Sequence, residues 1–236
     1  MKIQISSDFQ HLSTFLHNLP EAYDAAGTTI YKARNEIKKI NIDGRNFVIK
    51  KYKQPHIINQ IAYGFFRQSK AERAYEYAER LLSLNIPTPK PVAYIELRHM
   101  GLLFESYFIS EFSPYPHLIR ELWNYNGPDT DKLTQAFASF TADVHNKNVY
   151  PVDYSPGNIL FDIRDNDYRF TLLDINRMQF RSVSQKMAAY SFRRLHVGTD
   201  LLYLITSEYA KLRGYHIAQF TATAAQYHQQ FWKKQR

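Results

Sequence analysis

The hydrophobic pattern of this chain changes period once, and that single change limits the folds open to it. From Gly27 to Lys53 the sequence "GTTIYKARNEIKKINIDGRNFVIKKYK" alternates in the two-residue period of strands around Asp43-Gly44, a dipeptide suited to the tight turn of a hairpin. "KPVAYIELRHMGLLFESYFISEF" predicts two or three more strands. Between them, Ser69 to Leu84 places Ala71, Ala74, Tyr75, Ala78, Leu81 and Leu82 on one helical face, and Pro87 and Pro89 stop it. Past "SPYPHL" the spacing becomes that of helices: Leu133, Ala136, Phe137, Phe140 and Val144 recur at three and four, and "TDLLYLITSEYAKL" and "ATAAQYHQQFWKKQR" continue in that manner. Sheet first and helices afterwards predicts an α+β chain of two lobes. We place them at residues 1–112 and 113–236, joined near Ser110 to Pro114.

With 236 residues, 44% of them apolar, the chain has enough material for real cores. It lacks cysteine, which excludes disulfides and thiolate metal sites. No stretch sustains the roughly 18 apolar residues of a membrane span, and the N-terminus does not read as a signal peptide, so a cytosolic protein is expected. The net charge of +8 is concentrated: Lys32, Arg34, Lys38, Lys39, Arg45, Lys50, Lys51 and Lys53 stand among only Glu36 and Asp43. Such a run is either a solvated strand surface or a neighbour of phosphates, nucleic acid or an anionic membrane face. Nucleic acid is not expected, because no aromatic platform, helix-turn-helix or zinc spacing accompanies the charge.

The candidate chemistry begins at "VDYSPGNILF", where Pro156-Gly157 folds a turn between Asp153 and Asn158 ahead of an apolar run. The spacing alone is weak, since Asp143 and Asn148 repeat it without the turn or the strand. Sixteen residues past Asn158, Asp174 closes the apolar run "FTLLD". Two short strands flanking a turn would bring Asp153, Asn158 and Asp174 to one end of a hairpin. Such oxygen donors suit Mg²⁺, which takes one or two carboxylates together with substrate phosphates. Asp174 paired with Asn176 could equally be a turn cap. Upstream, alternation in "NFVIKKYK" sends Val48 and Lys50 to one face and Ile49 and Lys51 to the other, so one lysine points inward and needs an anion. Glu72 and Glu76, a helical turn apart, are the protein partners on offer. His145 reads as a core or capping histidine.

The order of these elements, strand lysine, helix glutamate, Asp-x-x-x-x-Asn turn and strand-ending aspartate, resembles the protein kinase-like superfamily. More narrowly, "VDYSPGNILF", "LLDINRM", "SKAERAY" and "NIPTPKPVAYIE" are similar to the lipopolysaccharide kinase family, the Kdo and heptose kinases, from about Gly27 to at least Met178. The resemblance implies an ATP-dependent phosphotransferase acting on a sugar hydroxyl of an anionic glycolipid at the cytosolic side of the inner membrane. It implies that Lys50 holds the α/β-phosphates and that Glu76, or else Glu72, pairs with it. It further implies that Ser110, Glu111 and Phe112 hold the adenine through their backbone, that Asp153 accepts or orients the acceptor hydroxyl, and that Asn158 and Asp174 bind Mg²⁺. The chain departs from the usual kinase pattern in having Pro151 where a histidine precedes the catalytic aspartate, Asp174-Ile175-Asn176 in place of Asp-Phe-Gly, and no Gly-rich loop before Lys50. A kinase for a small molecule or a protein hydroxyl, and a catalytically silent nucleotide-binding or interaction module, are the alternative readings.

Overall fold

The computed structural model describes residues 1–54, 67–124, 130–165 and 167–235. The chain divides into two compact units, Met1–Pro114 and Tyr115–Arg236.

The first unit is built on a six-stranded antiparallel sheet in the order β1-β5-β6-β4-β3-β2, with β1 Lys2–Ile5, β2 Thr28–Lys32, β3 Glu36–Ile42, β4 Arg45–Tyr52, β5 Pro91–His99 and β6 Leu102–Glu111. The β3–β4 hairpin turns at Asp43-Gly44, both with positive φ, as does β5–β6 at Met100-Gly101; this is the backbone a two-residue primed turn requires. Gly27 (φ 60°) opens β2, and a Cβ there would lie 2.3 Å from the Lys39 carbonyl oxygen, so only glycine lets β2 approach β3 at this point.

The two sheet faces are covered differently. A 3-10 turn (Ser7–Leu12) and helix α1 (Ser13–Ala22) cover one face, packing Phe9, Leu12, Leu16, Leu19 and Tyr23 onto Phe47, Ile49, Ala93, Ile95, Tyr107 and Ile109. The N-terminal segment that carries this layer was not assigned an element in the sequence reading. On the other face lies α2 (Lys70–Ser83), where Ala71 and Tyr75 meet Tyr52 and Tyr94. Ser69 caps α2 by accepting from Glu72 N–H at 3.0 Å. The C-terminus of α2 closes with Asn85 at φ 53° and Ile86 N–H on Leu81 O at 2.8 Å, and the prolines beyond it prevent continuation.

The second unit holds helices α3 (Thr130–Asn146), α4 (Gln185–Ser191), α5 (Thr199–Leu212) and α6 (Ile217–Lys233). It also carries a three-stranded sheet, β10-β9-β7, and a two-stranded ladder, β11-β8, from β7 His117–Leu118, β8 Val149–Pro151, β9 Ile159–Arg164, β10 Asp167–Leu172 and β11 Met178–Phe180. The buried face of α3 is rotated from the periodic reading. Leu133, Phe137 and Val144 are buried as expected, but Thr134, Thr141 and His145 join them while Ala136 and Phe140 are only partly covered. The two threonines can enter the core because each hydroxyl donates to a carbonyl four residues back, at 2.7 and 2.8 Å. No described helix is long and apolar enough to cross a membrane.

Candidate functional site

In the second unit two short loops are laced together at both ends. Asn158 immediately precedes β9 and Leu173-Asp174 follows β10, whose pairing ends at Ile159 opposite Leu172. Leu173 N–H then donates to Asn158 O at 2.8 Å. At the other end β8 pairs with β11, Pro151 opposite Met178, and Val152 N–H donates to Arg177 O at 3.2 Å. The Asp153–Asn158 loop and the Asp174–Arg177 turn are therefore held side by side by backbone bonds, which carry no sequence preference and so tolerate wide variation around the two aspartates.

Within that frame each side chain is fixed locally. Tyr154 is buried, its hydroxyl 2.7 Å from Thr141 Oγ1 and its ring stacked on Phe137, and burial pushes its phenol well above the ordinary tyrosine range. With Tyr154 anchored inward, Asp153 is half-buried, and Oδ1 receives a hydrogen bond from Arg194 Nη1. Asn158 Nδ2 donates to Asp153 O at 3.1 Å, closing the loop on itself. Asp174 is exposed in the left-handed region (φ 50°, ψ 49°), and Asn176 Nδ2 donates to its Oδ1 at 2.6 Å. The turn cap weighed from sequence is present: Asn176 holds the Asp174 carboxylate at the start of the turn. The control pair behaves otherwise. Asp143 is ion-paired to Lys147 at 2.7 Å on the helix surface, and Asn148 (φ 59°) ends the helix.

The exposed Asp174 and the amide of Asn158 stand on neighbouring backbone segments, and a carboxylate with an amide oxygen is a donor type that suits Mg²⁺, a hard cation that completes its shell with phosphate oxygens and water. Among the described residues no group of three His, Cys, Asp or Glu could hold a metal by protein ligands alone.

In the first unit Lys50 stands opposite Phe108 on β6 and Ile37 on β3, and Phe108 stands opposite Tyr94. Directly opposed residues share a face, so Lys50 lies on the face that α2 covers, with Nζ 5.2 Å from the Tyr52 ring centre. Lys51 goes to the α1 face, paired with Glu105 at 3.0 Å and lying over Tyr23 and Tyr107. The two helix glutamates have other partners in this structure. Glu72 binds Lys2 Nζ at 2.6 Å and accepts from Tyr94 OH, while exposed Glu76 accepts from Gln68 at 2.7 and 2.8 Å. At the end of β6, Glu111 N–H bonds Lys90 O and Phe112 N–H bonds Asn46 O, both at 2.9 Å, and Ser110 Oγ donates to Glu111 O. Those two backbone donors are spent within the unit.

The basic run is less open than its count. Lys38 is buried and donates to the Tyr23 and Asp24 carbonyls at 2.7 and 2.9 Å, Lys32 pairs with Glu36, and Arg45 with Glu111. His145 is buried, 2.7 Å from Tyr209 OH, and burial with nearby Arg213 lowers it to about 3, so it is neutral in the core. Sequence reasoning does not reach Arg194: it lies 41 residues past Asp153, and no spacing rule links the two.

The chain matches the family model described as lipopolysaccharide kinase (Kdo/WaaP) over residues 26–229. No curated protein matches it. Among solved structures it is similar to WaaP in complex with acyl carrier protein, at 17% identity and TM-score 0.65, covering 98% of this chain and 100% of that one. It is also similar to the Rio2 kinase of Chaetomium thermophilum, solved as an ADP/Mg²⁺-phosphoaspartate complex, at 12% identity and TM-score 0.53 over 98% of this chain and 77% of that one. At these identities the likeness is one of fold, and the fold is protein kinase-like.

Proposed function

The chain belongs to the lipopolysaccharide kinase (Kdo/WaaP) family, and from that membership we propose that it transfers the γ-phosphoryl group of ATP to a sugar hydroxyl, on Kdo or heptose, of the lipopolysaccharide inner core. The observation that carries this reading is the laced pair of loops, which keeps Asp153, Asn158 and Asp174 on adjoining backbone.

Phosphoryl transfer needs alignment and charge neutralisation more than covalent help from the protein. Asp153 is the group we assign to the acceptor. Arg194 engages Oδ1, and Oδ2 has no protein partner among the described residues, so it can accept the hydroxyl proton while the hydroxyl oxygen attacks the γ-phosphorus and the bond to the ADP oxygen breaks. Asn158 and Asp174 would hold Mg²⁺, which when bound neutralises phosphate charge. Lys50, with an ammonium on the α2 face of the first unit, would contact the α/β-phosphates. Glu72 would be its helix partner after release from Lys2, because it is the more enclosed of the two glutamates; Glu76 would serve if Glu72 keeps Lys2. The purine would meet the carbonyls of Ser110 to Phe112 and the Phe112 ring, over which Lys39 Nζ lies at 4.2 Å. Action at the cytosolic face of the inner membrane, with exposed cations meeting anionic headgroups, belongs to the same proposal.

The test is incubation with labelled ATP, Mg²⁺ and a panel of rough lipopolysaccharides. Label should enter one acceptor and be lost in Asp153→Asn. Label entering none of them while a small alcohol or a protein is phosphorylated would transfer the assignment to that acceptor, and absence of any Mg²⁺-dependent shift in melting temperature with ATP would remove the kinase reading altogether.

A further inference from the structure

We infer that Arg120 anchors an anionic group, a carboxylate or phosphate carried by the acceptor itself, beside the Asp153–Asn158 loop. The inference rests on the kinase reading only for the word acceptor; the anion site stands on its own geometry.

Arg120 N–H donates to Pro156 O at 3.2 Å, which brings the residue against the loop. Its guanidinium then lies on Gly157: a Cβ at that position would be 2.8 Å from Nη2, 3.6 Å from Cζ and 4.0 Å from Nε. Gly157 has no positive φ to accommodate. A Cβ there would make only the flexible end of the Arg120 side chain shift. Arg120 is exposed, and its guanidinium makes no hydrogen bond or close ion pair among the described residues. Glu121 feels its charge from a distance, but both carboxylate oxygens are taken, Oε2 by His117 Nδ1 and Oε1 by Leu118 N–H, each at 3.0 Å. A guanidinium offers five donors in a planar fork matched to carboxylate or phosphate. Here the fork lies on the backbone of the residue preceding Asn158, four positions after Asp153.

A hydroxyl to be aligned on Asp153 needs a second point of attachment, because one hydrogen bond leaves the acceptor free to rotate. A fixed anion elsewhere on the acceptor, held by Arg120, supplies it.

The experiment measures binding of the full chain to deep-rough lipopolysaccharide micelles, intact and after chemical dephosphorylation, and binding of Mg·ATP. The proteins are wild type, Arg120→Ala, Arg120→Lys, Gly157→Ala and a control, Lys186→Ala, which removes an exposed charge on α4. Arg120→Ala should weaken micelle binding by about ten- to hundredfold, Arg120→Lys should recover part, Gly157→Ala should cost less because the arginine's end can shift, and Lys186→Ala micelle binding and the Mg·ATP affinities of Arg120→Ala and Lys186→Ala should be unchanged. If the Arg120→Ala loss vanishes on dephosphorylated micelles, the anion is phosphate; if it persists, it is the sugar carboxylate. Unchanged binding in Arg120→Ala, an equal loss in Lys186→Ala, a loss appearing in the Mg·ATP affinity of Arg120→Ala, or no binding by wild type overturns the proposal. Because none of these readings needs turnover, a protein that binds through Arg120 and transfers no phosphate would defeat the kinase reading and leave the anchor, whereas normal transfer by Arg120→Ala at unchanged acceptor affinity would defeat the anchor alone.

Discussion

Arg194 donates through Nη1 to Asp153 Oδ1, so the carboxylate assigned to the acceptor is oriented by a cation 41 residues away in sequence. Arg194 leaves the 3-10 turn after α4, and its guanidinium carbon lies 5.6 Å from the Phe231 ring centre on α6. This contact holds the aspartate where a histidine two residues upstream is the usual brace and Pro151 stands instead.

Under the proposed mechanism Arg194 is a positioning residue. Arg194→Ala should lower kcat by about ten- to hundredfold with little change in the KM for ATP, since misalignment of one group costs rate more than binding. Arg194→Lys should restore part of it, and Asp153→Asn should cost about 10²- to 10⁴-fold. Steady-state kinetics read the split; a purely structural role for Arg194 would move the melting temperature and leave kcat of the folded fraction intact.

Asp174→Asn should remove the Mg²⁺-dependent part of the ATP-induced melting shift while leaving the apo protein's stability nearly unchanged, because asparagine also tolerates φ 50°. Asp174→Ala should add a penalty of about 1 kcal/mol from its left-handed backbone. Differential scanning fluorimetry with and without Mg·ATP distinguishes the two effects.

Lys38 is buried, and its ammonium satisfies two carbonyls beyond the C-terminus of α1. Lys38→Met should destabilise the chain by about 1–3 kcal/mol in urea unfolding, as the buried Tyr23 carbonyl and the part-buried Asp24 carbonyl lose their donor, whereas Lys39→Ala, one residue on and facing the other side of the sheet, should cost well under about 1 kcal/mol.

His145 binds no proton in the folded state until about pH 3, held neutral first by burial and then by Arg213. An unfolded histidine protonates below about pH 6.5. Between these values the unfolded state holds the extra proton, so stability contributed by His145 is whole above pH 6.5 and falls by at most about 1.4 kcal/mol per unit as pH drops toward 3. His145→Gln should flatten that part of the stability profile; an unchanged slope between pH 6.5 and 5 would contradict it.

Much of the architecture was legible because it rests on local rules. The Asp43-Gly44 hairpin, the α2 face through Ala71, Ala74, Tyr75, Ala78 and Leu81, and the strands around Pro156-Gly157 each follow from a period or a turn dipeptide that a few neighbouring residues impose. The N-terminal layer over the sheet was not legible, because Phe9, Leu12, Leu16 and Leu19 acquire meaning only against the strand residues they cover. The same holds for the basic run, where identical lysine symbols became a buried cap at Lys38, an ion pair at Lys51 and an ammonium on the α2 face at Lys50.

What the amino-acid order by itself determined was where the strands β8, β9 and β10 run, and so that Asp153, Asn158 and Asp174 fall in the short segments at their ends. Only tertiary structure decided how those groups are held. Arg194 reaches Asp153, Arg120 lies on Gly157, and Lys2 occupies Glu72 across separations of 41, 37 and 70 residues. Hydrophobic period acts over one or two turns of chain, whereas a charged side chain takes its partner from whatever packing brings within reach, and that is a property of the folded whole.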